Sequence, residues 1–130
     1  MGSYDNKVQN KKNKNIISSF KYGFLGLFEA IKRERNIKIA LVLIVLGSII
    51  SCFLNLSMIE WIIVILMSVI VVSLEMMNTA LEAVVDMAMP NIHPLAKLAK
   101  DTAAGAVVLS VVVAFIVGVI IYLPKLIALF

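Results

Sequence analysis

A single cysteine in 130 residues excludes an intrachain disulfide. That residue, Cys52, sits inside an apolar run and reads as a small hydrophobic filler. Neither a Walker A sequence nor a G-x-G-x-x-G is present. A nucleotide site would therefore have to be assembled from scattered side chains rather than from one phosphate-cradling loop. The first apolar run starts only near Ile37, after a long basic segment and with no small-residue cleavage site behind it, so a cleaved leader is not expected. Proline is confined to Pro90, Pro94 and Pro124. Pro90 and Pro94 are expected to break a helix, and Pro124 to close one. The basic residues are not interleaved with aromatics on a soluble face, which argues against nucleic acid as a partner.

What fills the chain is hydrocarbon. Hydrophobic residues make up 62%, and the mean hydropathy is +1.01. Soluble domains are nearer half apolar, so this is a membrane composition, and the length suits one domain. Three segments are long enough to cross a bilayer as helices: about 37–56, 61–89 and 105–123. Crossing ~30 Å takes ~20 residues, and in lipid only helices satisfy three such backbones internally. Of the twelve Lys and Arg, nine precede or open the first span, Lys97 and Lys100 lie in the loop after the second, and Lys125 lies elsewhere. By the positive-inside rule the N-terminus and the loop near 90–100 are cytoplasmic, and the C-terminus is outside. The expected location is a cell membrane, with the site on its cytoplasmic side.

Ahead of the spans, residues 16–35 place Phe20, Phe24, Leu27, Phe28 and Ile31 at helical spacing. This pattern predicts an amphipathic helix on the membrane surface. Residues 1–15, rich in Asn and Lys, are expected to be disordered. The fold class is thus all-α: three transmembrane helices plus an N-terminal surface helix.

Within the second span, Glu75, Asn78, Glu82 and Asp86 fall on one face. At ~100° per residue from Glu75, Glu82 lies near −20°, Asp86 near +20° and Asn78 near −60°. Glu75 is fourteen residues beyond Trp61, ~21 Å, in the cytoplasmic half of the bilayer; Glu82, at ~31 Å, is near the interface. An intramembrane carboxylate is expensive and is a functional candidate by default. Two chemistries suit it. One is divalent-cation binding through oxygen ligands. The other is general base work by a carboxylate in a partly dry site, where desolvation raises its basicity. Glu34, at the end of the surface helix, offers a second carboxylate at the level of Glu82. Glu29 competes with it, but reads more readily as a solvated face residue. The loop contributes His93, Lys97, Lys100 and Asp101. Lys97 reads as an inside-positive anchor, and Lys100 beside Asp101 as a phosphate contact. In the third span Ala106, Ser110, Ala114 and Gly118 form a stripe of small residues that permits close helix approach.

The segment Leu74 to Leu109, "LEMMNTALEAVVDMAMPNIHPLAKLAKDTAAGAVVL", resembles the signature of the small prokaryotic lipid kinases, the diacylglycerol kinase and undecaprenol kinase family. Glu75, Asn78, Thr79, Ala80, Glu82, Asp86, His93, Leu95, Ala99, Lys100 and Asp101 carry the match. "SFKYGFLGLFEAIKRERNIKI" is similar to the family's surface helix. The resemblance implies a homotrimer of three-span subunits that moves the γ-phosphoryl of ATP, with Mg²⁺, to a membrane lipid alcohol. It implies Glu75 as catalytic base and Glu34 and Glu82 as metal ligands. Tyr22, Asn78, His93, Lys100 and Asp101 become nucleotide contacts, and Glu75 and Ala104 lipid-substrate contacts. Asn91 and Ile92 depart from the acidic residue and Tyr that relatives often carry before the His, and Leu25 stands where relatives tend to be polar. "HPLAK" from His93 and "ERN" from Glu34 look more like the undecaprenol kinase branch, so undecaprenol is the expected acceptor and diacylglycerol the alternative. Two rival classes remain on the residues alone. A proton- or cation-coupled transporter would use Glu75 but leave Glu34, Glu82, Lys100 and Asp101 without a task. An assembly subunit would use the stripe only to pair helices.

Overall fold

The computed structural model describes residues 16–89, 91 and 93–129, and every regular element among them is a helix: α1 (Ile16–Arg33), α2 (Arg35–Phe53), α3 (Met58–Ala88) and α4 (Pro94–Ile127). The disorder expected over 1–15 and the helix break expected at Pro90 fall outside the described residues, as does the departure at Ile92. The chain forms two compact units, one ending at Arg33 and one starting at Glu34.

In the first unit, α1 is amphipathic as its spacing predicts. Phe20, Phe24 and Phe28 recur every fourth residue and are all exposed. The helix was expected to reach residue 35 but stops at Arg33. The reason is local: Glu34 adopts an extended backbone (φ −93°, ψ 121°) and serves as the N-cap position of α2.

The second unit holds α2, α3 and α4, each long and apolar enough to cross a membrane. The chain is a multi-pass membrane protein. Its 19-residue α2 spans ~29 Å, close to the ~30 Å of bilayer hydrocarbon, whereas α3 (31 residues, ~46 Å) and α4 (34 residues, ~51 Å) overrun it. Few side chains are buried. Ile37, Leu56, Val107 and Ile121 are the buried hydrophobics, while most Leu, Ile, Val and Phe face outward, as lipid permits.

The turn between α2 and α3 is built from capping chemistry. Asn55 takes φ 48°, a left-handed conformation that Asn tolerates better than most residues. Its N–H bonds Cys52 O (3.3 Å) and the Leu56 N–H bonds Ser51 O (3.2 Å), the Schellman pattern, with Leu56 buried over it. Then Ser57 and Glu60 cap α3 reciprocally: the Ser57 N–H donates to Glu60 Oε2 at 2.6 Å, and the Glu60 N–H donates to Ser57 Oγ at 3.4 Å.

The interruption expected before the third span is present, with α3 ending at Ala88 and Pro94 opening α4 at its first turn, where its missing N–H and fixed φ suit the position. The third helix was expected to start only near 105; instead it begins at Pro94 and takes in Lys97 and Lys100, which were placed in a loop. Pro124 lies inside α4, which was expected to close there but continues to Ile127. The carbonyl bond lost at Pro124 is offset locally. Ile121 is buried against the bundle, Lys125 Nζ pairs with Glu60 Oε2 at 3.1 Å, and the Ala128 N–H bonds Pro124 O at 3.1 Å.

Candidate active site

The polar stripe of α3 is arranged by depth. Glu75 is only 9% exposed, and no described side chain donates a hydrogen bond to its carboxylate. Thr79 Oγ1 bonds the Glu75 backbone carbonyl at 3.0 Å and leaves the side chain alone. One turn on, Asn78 Nδ2 donates to Glu82 Oε1 at 3.0 Å. That bond fixes which end of the amide is which. Asn78 Oδ1 is then buried without a partner among the described residues. A buried, unpaired amide oxygen beside an oriented carboxylate is a pair of hard donors lacking an acceptor. Asp86, exposed near the helix end, takes Lys100 Nζ at 2.8 Å, joining α3 to α4.

Glu75 lines a cavity of about 520 Å³ shared by α2, α3 and α4. It is the only charged side chain in that lining, which is otherwise apolar save for Asn36, Ser68 and Tyr122. Leu43 and Phe115, both well exposed, stand at its rim.

The remaining candidates are more scattered. His93 is the N-cap of α4, its Nδ1 accepting from the Leu95 N–H at 3.2 Å. One ring nitrogen is thus committed to the fold. Asp101 and Ala104 are exposed on α4. Ala104 is not in the cavity lining, though it sits two turns before Val111 on that face. Tyr22 is exposed on α1, a separate unit. Glu34 is half-buried at the start of α2, and its carboxylate caps nothing. Glu29 pairs with Arg33 at 2.7 Å, and that hydrogen bond and charge hold its carboxyl below the usual carboxylate range. Among the described residues no three His, Cys, Asp or Glu side chains gather tightly enough to hold a metal ion. Magnesium does not require such a cage. It is usually held by one or two carboxylates, with water and substrate phosphates completing the shell. Glu82 and the Asn78 oxygen fit that partial role.

Sequence reasoning missed several contacts. The capping box was readable as Ser57-x-x-Glu60. The pairing of Glu60 with Lys125 needed the register of α3 on α4. The bond between Ser51 Oγ and Tyr122 OH (2.7 Å) joins positions 71 apart, and no local pattern signals it.

The profile of the prokaryotic diacylglycerol kinase family matches residues 21–122. The chain belongs to that family. It is a lipid kinase, and the matched segment takes in every candidate from Tyr22 to Ala104. Among its relatives, the undecaprenol kinase of Bacillus subtilis (strain 168) is 38% identical over 122 residues, covering 94% of this chain and 99% of the relative. The diacylglycerol kinase of Synechocystis is 40% identical over 116 residues, covering 88% of this chain and 66% of the relative. The diacylglycerol kinase of Escherichia coli (strain K12) is 33% identical over 101 residues, covering 78% of this chain and 83% of the relative.

Proposed function

We propose that this lipid kinase transfers the γ-phosphoryl group of ATP to the hydroxyl of undecaprenol, giving undecaprenyl phosphate. The observation that carries the reading is the single buried carboxylate of Glu75 in an otherwise apolar, three-helix cavity. The near full-length match to an undecaprenol kinase supports undecaprenol as the acceptor.

In this reading the acceptor hydroxyl rests against Glu75, which takes its proton as the oxygen attacks the γ-phosphorus. The new O–P bond forms while the bond from that phosphorus to the β–γ bridging oxygen breaks. The electron pair leaves on ADP. Phosphoryl transfer asks the protein for positioning and charge neutralisation more than for covalent chemistry. Magnesium, when bound, supplies charge neutralisation at the phosphate oxygens. Glu82 and Glu34 are its proposed ligands, with the free Asn78 oxygen beside Glu82 and Glu29 as the competitor for the place of Glu34. Glu82 is seven residues from Glu75, ~10 Å along the helix, which separates a nucleotide arriving from water from an alcohol arriving from lipid.

Tyr22, Asn78, His93, Lys100 and Asp101 are the proposed nucleotide contacts. Lys100 exchanges Asp86 for a phosphate oxygen, and His93 offers Nε2 because Nδ1 is spent on the cap. Glu75 and Ala104 are the proposed lipid contacts. The active unit is a homotrimer, supported by the family resemblance and by the small residues of α4. The N-terminus and the start of α4, with Lys97 and Lys100, face the cytoplasm, supported by the Lys and Arg distribution.

Diacylglycerol is the second reading, favoured by the 40% identity to the Synechocystis enzyme. A competition assay decides. The protein is incubated with Mg²⁺, γ-labelled ATP and equal undecaprenol and diacylglycerol, and the extracted lipids are separated. Label mainly on undecaprenol upholds the proposal, and label mainly on diacylglycerol replaces it with the second reading. No label on either, from folded protein, removes the site assignment.

A further inference from the structure

α2 and α4 both pack on α3, yet no Cα of α2 comes within 8 Å of a Cα of α4 among the described residues. One hydrogen bond joins them, with Tyr122 OH donating to Ser51 Oγ at 2.7 Å because the Ser51 hydroxyl donates to Gly47 O. Beyond that bond the two helices stand apart, and the space between them is the cavity that Glu75 lines. The cavity is therefore a slot with two distinct ends. One end is the carboxylate. The other is the Ser51–Tyr122 pair, with Ser51 fully buried.

The length of the slot follows from the register of α3 on α4. Lys100 pairs with Asp86 and Lys125 with Glu60, so 25 positions separate the lysines and 26 the acids. The two cross-links agree on one antiparallel register. It sets Tyr122 near Val64 and Glu75 near Val111, and all four line the slot. The two levels are eleven residues apart on either helix, ~16 Å, about half the hydrocarbon thickness.

The polar inventory names the occupant. Deep in the slot, each hydroxyl already has a partner. Ser68 Oγ bonds Val64 O at 2.8 Å, and the Tyr122 hydroxyl is held by Ser51, which also bonds Gly47 O at 2.7 Å. The polar side chains of the lining left without partners among the described residues are Asn36 and Glu75, at the other end. A slot that offers polar contacts at one end and none along its length suits a molecule with one polar head and a hydrocarbon tail. Its exposed rim at Leu43 and Phe115 admits that molecule sideways from the bilayer.

We propose that the slot seats the head-proximal part of the acceptor's hydrocarbon tail, and that Tyr122, braced by Ser51, is the floor that sets how much of the tail it holds. This rests on Glu75 as the base that receives the acceptor hydroxyl. Tyr122 is then a specificity-determining residue of the lipid kinase, remote from the chemistry. Beyond the floor a longer tail turns out into the bilayer through the rim.

The test measures KM and kcat of the full chain in vesicles on geraniol, farnesol, geranylgeraniol and undecaprenol. KM is expected to fall with each added isoprene unit until the slot is full, then to level off. Tyr122→Ala moves the levelling point to a longer prenol, with KM changes of about three- to tenfold there, the size of one isoprene unit's dispersion contacts. Gly47→Leu moves it to a shorter one. A Cβ at Gly47 comes no nearer than 4.0 Å to Tyr122 OH, and Gly47 lines the slot, so the carbons added beyond Cβ take up slot volume above the floor. Tyr122→Phe keeps the ring and loses only its brace, so its levelling point moves less than that of Tyr122→Ala. An unchanged profile in both Tyr122→Ala and Gly47→Leu overturns the inference. So does an effect confined to kcat, or an altered oligomeric state with an unchanged profile, which would mean that a second copy covers the slot. If only diacylglycerols are phosphorylated, the acceptor reading falls, and graded acyl lengths test the floor in the same way. No transfer to any acceptor removes the base assignment and the inference with it, whereas transfer with a fixed length profile removes the inference alone.

Discussion

Replacing Glu75 with Gln keeps the length and volume of the side chain and removes one charge and one proton acceptor. The structure makes this a clean perturbation. The carboxylate is 9% exposed and receives no hydrogen bond from a described side chain, so no existing donor loses its acceptor. The Thr79 bond goes to the backbone carbonyl and survives. A positioned general base contributes about 10²–10⁴-fold, or ~2.7–5.5 kcal/mol of barrier. The expected outcome is a kcat lowered by that factor, with ATP affinity within about twofold, because Glu82 lies ~10 Å further along the helix. Label transfer from γ-labelled ATP into extracted lipid gives kcat, and equilibrium dialysis with Mg·ATP gives affinity. Glu75→Asp retracts the carboxylate by one carbon and is expected to fall between the two, since a misplacement of ~1 Å costs on the order of 10²-fold. Equal losses of affinity and turnover in Glu75→Gln would place the residue in the nucleotide or metal machinery instead. Full activity would leave it a helix-pairing group and refute the reasoning.

Glu82→Ala is expected to shift the Mg²⁺ titration of activity to higher concentration and to weaken ATP binding together; an unchanged titration removes it as a ligand. Glu34→Ala and Glu29→Ala, run side by side, decide which of the two shares that task, because only the true ligand shifts the midpoint. Lys100→Gln is expected to raise the KM for ATP more than Lys97→Gln does, and equal effects would reduce both to interfacial anchors. For the Ser51–Tyr122 bond, a double-mutant cycle of Ser51→Ala and Tyr122→Phe, read by thermal unfolding in detergent, is expected to return a coupling of ~0.6–1.7 kcal/mol, the range for hydrogen bonds between membrane helices. A coupling indistinguishable from zero would mean that the bond does not brace the floor.

How much of this was legible in the sequence depends on the distance over which each feature is encoded. Three spans, an amphipathic helix and the Glu75–Asp86 stripe are periodic patterns within one element, and all were readable. The end of α1 was placed two residues late because the break at Glu34 is a backbone turn, with no Gly or Pro to mark it. Pro124 was read as a stop, and Pro94 as part of a loop that would run on to the third span. Position decides their effect, first turn in one case and a braced last turn in the other, and a proline looks the same in either. The cavity was not legible at all. It exists because α2 and α4 each prefer α3 to one another, and that preference is a property of three packed surfaces.

In the proposed mechanism, the unequal helix lengths account for where the stripe's two tasks fall. α2 matches the hydrocarbon thickness, but α3 and α4 continue past its first residue for several turns. Counting back from the 54–57 turn at ~1.5 Å per residue, Asn36 and Glu75 lie at about the same height, ~27 Å, and Glu82 ~10 Å higher. Glu75 is therefore the last stripe residue that α2 still covers. Above it the flank of α3 stands clear of α2, and there the polar groups turn to one another: Asn78 to Glu82, and Asp86 across to Lys100. A longer α2 would seal Glu82 in hydrocarbon, where a cation and a nucleotide could not reach it. A shorter one would open Glu75 to water, which competes with the lipid hydroxyl for the phosphoryl group. The start of α2, set by the extended backbone at Glu34, is what lets one helix present a dry carboxylate and a wet one about two turns apart.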